Sequence, residues 1–123
     1  MHAETVLLLV LAGVNAVAAD TAEAARTALR ATRRRLAVGL FGQGRDLSDD
    51  EADVLLSAGA GRHVDSMLTH TAAGTPDDVR EQLTAFARLA DADELIVAHQ
   101  APTAQARLRS VTLTAEAMDA VAA

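Results

Sequence analysis

The chain has 123 residues, half of them apolar and 23% charged, with a net charge of −6, no cysteine, no tryptophan, no tyrosine and two phenylalanines. That length suits one domain able to bury a core without staples. The missing cysteines exclude disulfides, thiol catalysis and cysteine zinc sites, and fit a cytoplasmic protein. Near-absence of aromatic rings removes the stacking platforms that single-stranded nucleic-acid readers need, so no nucleic-acid partner is expected. All eleven basic residues are arginine, five of them between Arg26 and Arg35, a cluster that reads as the solvated face of a helix.

The first apolar run, Val6 to Ala12, has no positive charge before it and is shorter than the ~20 residues that cross a bilayer. A secretory signal ending near Ala16-Val17-Ala18 is the competing reading; no membrane partner is expected. Residues 10–18 read as a buried strand. Asp20-Thr21-Ala22-Glu23 has the spacing of a capping box with Asp20 as cap, which predicts a helix over about 21–37. Ala25, Ala28, Leu29, Thr32 and Leu36 share one side of it, and Gly39, Gly42 and Gly44 predict a loop from Leu40 to Leu47.

Ser48-Asp49-Asp50-Glu51 is a second capping box and opens a helical excursion over about 48–69, broken by Gly59 and Gly61. Its second part is expected to bury Val64, Met67 and Leu68. His63 in it and His70 just beyond it lie seven apart without a carboxylate at a spacing that completes a site, so no metal site is expected. Thr71 to Ala73 suggests a short strand. Thr75 caps the next helix, 76–90, with Pro76 in the first position, Asp77 and Asp78 at the positive end of the dipole, and Val79, Leu83, Phe86, Ala87 and Ala90 inward. Residues 94–98 are too few for a helix before Pro102 and read as a strand buried on both faces. A closing helix over 103–121 is expected to face inward through Ala104, Leu108, Val111, Ala115 and Met118. Alternating strands and helices of these lengths predict an α/β fold with parallel strands and right-handed crossovers.

Three segments, GVNAVAADTAEAAR, GTPDDVREQLTAFARLADADELIVAHQ and RLRSVTLTAEA, resemble in order the carboxyl-terminal part of bacterial luciferase-like, flavin-dependent monooxygenases, from about Gly13 to Ala117. The resemblance implies a partial (β/α)8 TIM barrel: its C-terminal β/α units with a helical insertion. A complete barrel takes ~250 residues, so the chain is expected to be a truncated or fragmentary form. It further implies an oxidoreductase using FMN or a related flavin, dioxygen and a small organic substrate. Strands cut from a barrel expose edges and an apolar face, so a homo-oligomer or pairing with a complementary half-barrel is expected; the alternative function is a non-catalytic half-barrel interaction module.

Barrels place chemistry at the carboxyl ends of their strands. On that reading His99 and Gln100 contact the flavin, with His99 the one able to move a proton near neutrality. Asp20 is read as a helix cap. The helix start at Gly74-Thr75-Pro76 offers amides to a phosphate, but Asp77 and Asp78 repel one, so no phosphate is assigned there. Ser110 has no histidine and acid in register, which gives no nucleophile triad. The catalytic residues themselves are not identified.

Overall fold

Strand β1 (Leu11–Ala18) runs up the centre of a three-stranded parallel sheet in the computed structural model, which describes residues 9–122. It is followed by α1 (Ala22–Phe41), α2 (Asp49–Leu55), a wide turn over Leu56–Ala60, α3 (Gly61–Met67), β2 (Thr71–Gly74), α4 (Pro76–Ala90), β3 (Glu94–His99) and α5 (Ala104–Ala122). The strand order is β2-β1-β3, with Asn15 beside Thr71 on one side and Gly13 beside Ile96 on the other. The α/β class and parallel pairing are as expected; the sheet is open.

That order has a geometric consequence. The chain leaves β1 towards one edge and returns from β2 across β1 to the other, so right-handed crossovers put α1 and α4 on opposite faces. Consecutive strands of a barrel wall lie side by side; here β3 flanks β1 instead of β2. Successive strand residues point to opposite faces. Val14 and Ala18 meet Val79 and Leu83 of α4 and Leu113 of α5, together with Ala72; Phe86, Leu95, Val97 and Met118 pack against this cluster. Val17, on the other face, is fully buried, and α1 packs on β1 and β2 there through Ala25 and Thr32, both buried.

Several helix ends form where short-range chemistry predicts them. Ser48 and Glu51 exchange both capping-box bonds at 3.1 and 3.2 Å, and Thr75 and Asp78 do so at 3.1 and 3.3 Å. The turn between α2 and α3 breaks at Gly59, whose φ of 105° suits a residue without Cβ.

Other expectations are corrected. Thr21, not Asp20, caps α1, accepting from the Ala24 amide at 3.1 Å, while Asp20 pairs with Arg109 of α5. Helix α1 continues through Gly39 to Phe41, whose ring sits edge-on to His63 at 5.6 Å, so a tertiary contact extends it past a weak helix former. Met67 is exposed. The buried side of α5 is Ser110, Leu113, Thr114 and Ala117, and Leu108 and Val111 lie outside. Strand β3 is half-buried on one face and exposed on the other, because nothing in the described residues covers Ile96, which is 61% exposed.

The arginine cluster does more than meet solvent. Arg33 bonds Asp65 at 3.0 Å, and Arg34 holds Asp53 with two bonds of 2.9 Å and reaches Asp49 at 3.4 Å, so the two side chains tie α1 to α2 and α3. The bond from Arg34 holds the Asp53 carboxyl below the usual carboxylate range. The apolar run beginning at Val6 starts outside the described residues, whereas Ala16, Val17 and Ala18 form the buried end of β1. No described helix is long and apolar enough to cross a membrane.

Candidate functional site at the carboxyl ends of β1 and β3

In an open parallel sheet, the chain segments leaving two adjacent strands in opposite directions open a crevice at the strands' carboxyl ends. Strands β1 and β3 are such a pair, and their ends bring Asn15, Asp20, His99 and Gln100 into one region.

His99 and Gln100 do not act as a pair. They are successive residues of an extended segment, so their side chains leave the sheet on opposite faces. The His99 imidazole turns to α5, where Nδ1 lies 2.7 Å from Ser110 Oγ. That oxygen also accepts from the Ala18 amide at 2.9 Å, so one hydroxyl joins the strand backbone to the ring. Burial lowers the His99 pKa from its ordinary value, which favours the neutral ring. Ser110 is fully buried. The fold thus supplies the histidine that sequence spacing did not place near Ser110, but among the described residues no carboxylate bonds the ring, and the serine is packed inside. The arrangement ties β1, β3 and α5 together.

Gln100 faces the other way. Its side-chain nitrogen donates to Asn15 Oδ1 at 3.1 Å, and the Asn15 amide donates to the Met67 carbonyl at 3.4 Å. The Gln100 backbone is held on three sides: its N–H donates to Ala16, and its carbonyl accepts from Thr32 Oγ1 and from Arg35 at 3.4 Å. Asn15 lines a groove of about 310 Å³ on the uncovered half of this face, with Gly13, Ile96 and Ala98 as floor and Met67 and His70 as wall. Asn15 was not singled out from the sequence; an asparagine inside an otherwise apolar strand was the available signal.

The remaining strand-end residues are occupied structurally. Asp20 receives two bonds from Arg109, at 2.7 and 3.4 Å, and the stronger of these effects, hydrogen bonding, lowers its pKa. At the start of α4 the Asp78 carboxylate bonds the Thr75 amide and stands 2.6 Å from where a Gly74 Cβ would be. The space an anion would need at that helix start is filled by the protein's own carboxylate. His63 meets Phe41 edge-on and His70 lies tilted against Phe86, and among the described residues no three acidic or histidine side chains converge.

Comparison with known proteins returned no matching family model and no matching curated protein. Among solved structures, the crystal structure of apo-MsnO8 is similar over 89% of this chain, with 28% sequence identity and a TM-score of 0.63. The match spans 34% of the MsnO8 chain, so this chain corresponds to about a third of that protein's length.

Proposed function

We propose that this chain is the carboxyl-terminal β/α portion of a luciferase-like, flavin-dependent monooxygenase, acting on a small organic substrate. The observation that carries the reading is the Asn15–Gln100 amide pair at the carboxyl ends of two adjacent parallel strands, beside an open groove, within segments that resemble that family. The likeness to apo-MsnO8 supports it at the level of a shared partial fold.

A flavin has two parts to satisfy. Its ring edge needs donors and acceptors against a flat apolar floor, which Asn15, held from behind by Gln100, supplies over Gly13 and Ala98. Its phosphate needs cations or free helix-start amides. No arginine lines the groove, and Asp78 occupies the start of α4. The described residues therefore fit the ring and not the phosphate. When bound, reduced flavin supplies the electrons that activate dioxygen for oxidation of an organic molecule. This chain's part is to orient the ring through Asn15 and Gln100 and to keep water from one of its faces with Ile96 and Met67.

The test is titration of the 123-residue chain with riboflavin and with FMN, followed by flavin fluorescence. The reading expects quenching by both at similar concentrations, weakened about tenfold by Gln100→Leu, the size of one lost hydrogen bond to a polar ligand. Unchanged fluorescence with both flavins at millimolar concentration overturns cofactor binding by this chain.

A second reading, a non-catalytic module that binds another chain, is favoured by a separate observation. Glu94 and Gln100 donate to β1, so by alternation Leu95, Val97 and His99 turn their backbone groups outward, with no partner among the described residues. An unpaired strand beside exposed Leu11 and Ile96 is a surface suited to pairing.

A further inference from the structure

The outer edge of β2 is treated differently from that of β3. Asn15 donates to the His70 carbonyl and Ala19 to the Gly74 carbonyl, so Thr71 and Ala73 turn their own N–H and C=O away from β1. At Ala73 both groups are taken by one side chain: the Gln82 amide accepts from Ala73 N–H at 3.0 Å and donates to its C=O at 2.9 Å. A primary amide thus stands where a strand would. One outward pair earlier, the Thr71 N–H and C=O bond to no group among the described residues, and the Thr71 hydroxyl oxygen is buried without a partner.

Beside Thr71 lies a cavity of about 230 Å³ between β2 and α4. Val14, Ala72, Ala85 and Phe86 line it, Leu89 stands at its rim, and the Phe86 ring is braced by His70 at 5.1 Å. Apolar walls with a few aimed polar groups are the ordinary makeup of a small-molecule site.

We propose that this edge cavity binds a compact apolar molecule carrying one primary amide, which pairs with Thr71 as Gln82 pairs with Ala73. A donor and an acceptor are required side by side, so a carboxylate, with acceptors only, leaves the Thr71 carbonyl unpaired. An added peptide strand is excluded by Gln82, which blocks the next outward pair of a four-residue strand. The cavity volume admits one ring. This site adjoins the groove at Asn15, with Val14, Thr69 and His70 lining both, but it does not depend on the flavin reading.

The experiment titrates the ¹⁵N-labelled full chain with benzamide and with acetophenone, which has the same shape with a methyl in place of the amide nitrogen. Saturable shifts at Thr71 and along α4 near Phe86 are expected, with benzamide bound about tenfold tighter. Ala85→Leu and Phe86→Trp each fill the cavity and should weaken benzamide by at least about tenfold while the spectrum stays dispersed; two variants guard against one failing to fold. Equal affinity for the two probes overturns the proposal. So does benzamide binding that survives either folded variant, or no saturation below about 100 mM, the range a ligand of this size reaches at ordinary efficiency.

Discussion

His99 Nδ1 and Ser110 Oγ lie 2.7 Å apart across the junction of β3 and α5, and the serine oxygen simultaneously accepts from the Ala18 amide. Burial of the ring lowers its pKa below the ordinary 6.5. Above that value the folded and unfolded chains both hold His99 neutral, and its contribution is fully present. As pH falls through about 6.5 the unfolded chain takes up a proton that the folded chain resists, so stability declines until the folded pKa is passed. Urea midpoints between pH 7.5 and 5 should therefore fall more steeply for the wild type than for His99→Gln. Parallel curves would show that His99 carries no such linkage.

Gly74 holds a φ of 142°, and a Cβ there would meet the Asp78 carboxylate at 2.6 Å. Gly74→Ala should cost about 1–3 kcal/mol, from backbone strain and from displacing the carboxylate that caps α4. Chemical denaturation measures it. An unchanged midpoint would mean that the turn relaxes freely.

The buried Leu83 side chain sits at the centre of the cluster between the sheet and α4, 1% exposed. Leu83→Ala should cost about 2–5 kcal/mol. With a core of small residues, a loss at the upper end is expected to leave the chain largely unfolded at 25 °C, which circular dichroism would report.

Arg34 bridges α1 to Asp53 and Asp49, and all three side chains are partly solvated. Solvated ion pairs weaken as salt screens them. Arg34→Gln should lower the melting temperature most in low salt, with the difference shrinking towards 1 M sodium chloride. A difference independent of salt would assign the effect to packing of the arginine stem.

Ile96 and Leu11 stand exposed on adjacent strands next to the outward edge of β3. If this surface joins two chains, Ile96→Glu shifts the mass found by light scattering from dimer to monomer without lowering the melting temperature of the monomer. A wild-type chain that is monomeric at about 100 μM removes the self-pairing version of this surface.

The parts of the fold that were legible in the sequence are those decided within one helical turn. The boxes Ser48/Glu51 and Thr75/Asp78, Pro76 at a helix start and the stripe Val79-Leu83-Phe86 all follow from residues three or four apart. The inward face of α5 was not legible. Alanine and threonine recur so densely there that Leu108 and Val111 looked like the apolar side, whereas Ser110 and Thr114 are the buried ones. The cap at Asp20 failed for a related reason: Thr21 is an equally good cap, and Arg109, 89 residues away, claims the aspartate.

At the candidate site, the sequence by itself determined that His99 and Gln100 close a strand, and read them as one pair facing the flavin, whereas the structure sends them to opposite faces. It also determined the alternation of strands and helices, and with it the α/β class. Only the tertiary structure decided that β1 lies between β2 and β3, that α5 covers the His99 face, and that Gln100 meets Asn15, 85 residues before it. The division has a physical cause. Caps and periods are set by bonds between near neighbours in the chain. Strand order and the choice of covered face follow from burying the largest apolar area among distant segments, which no local pattern records.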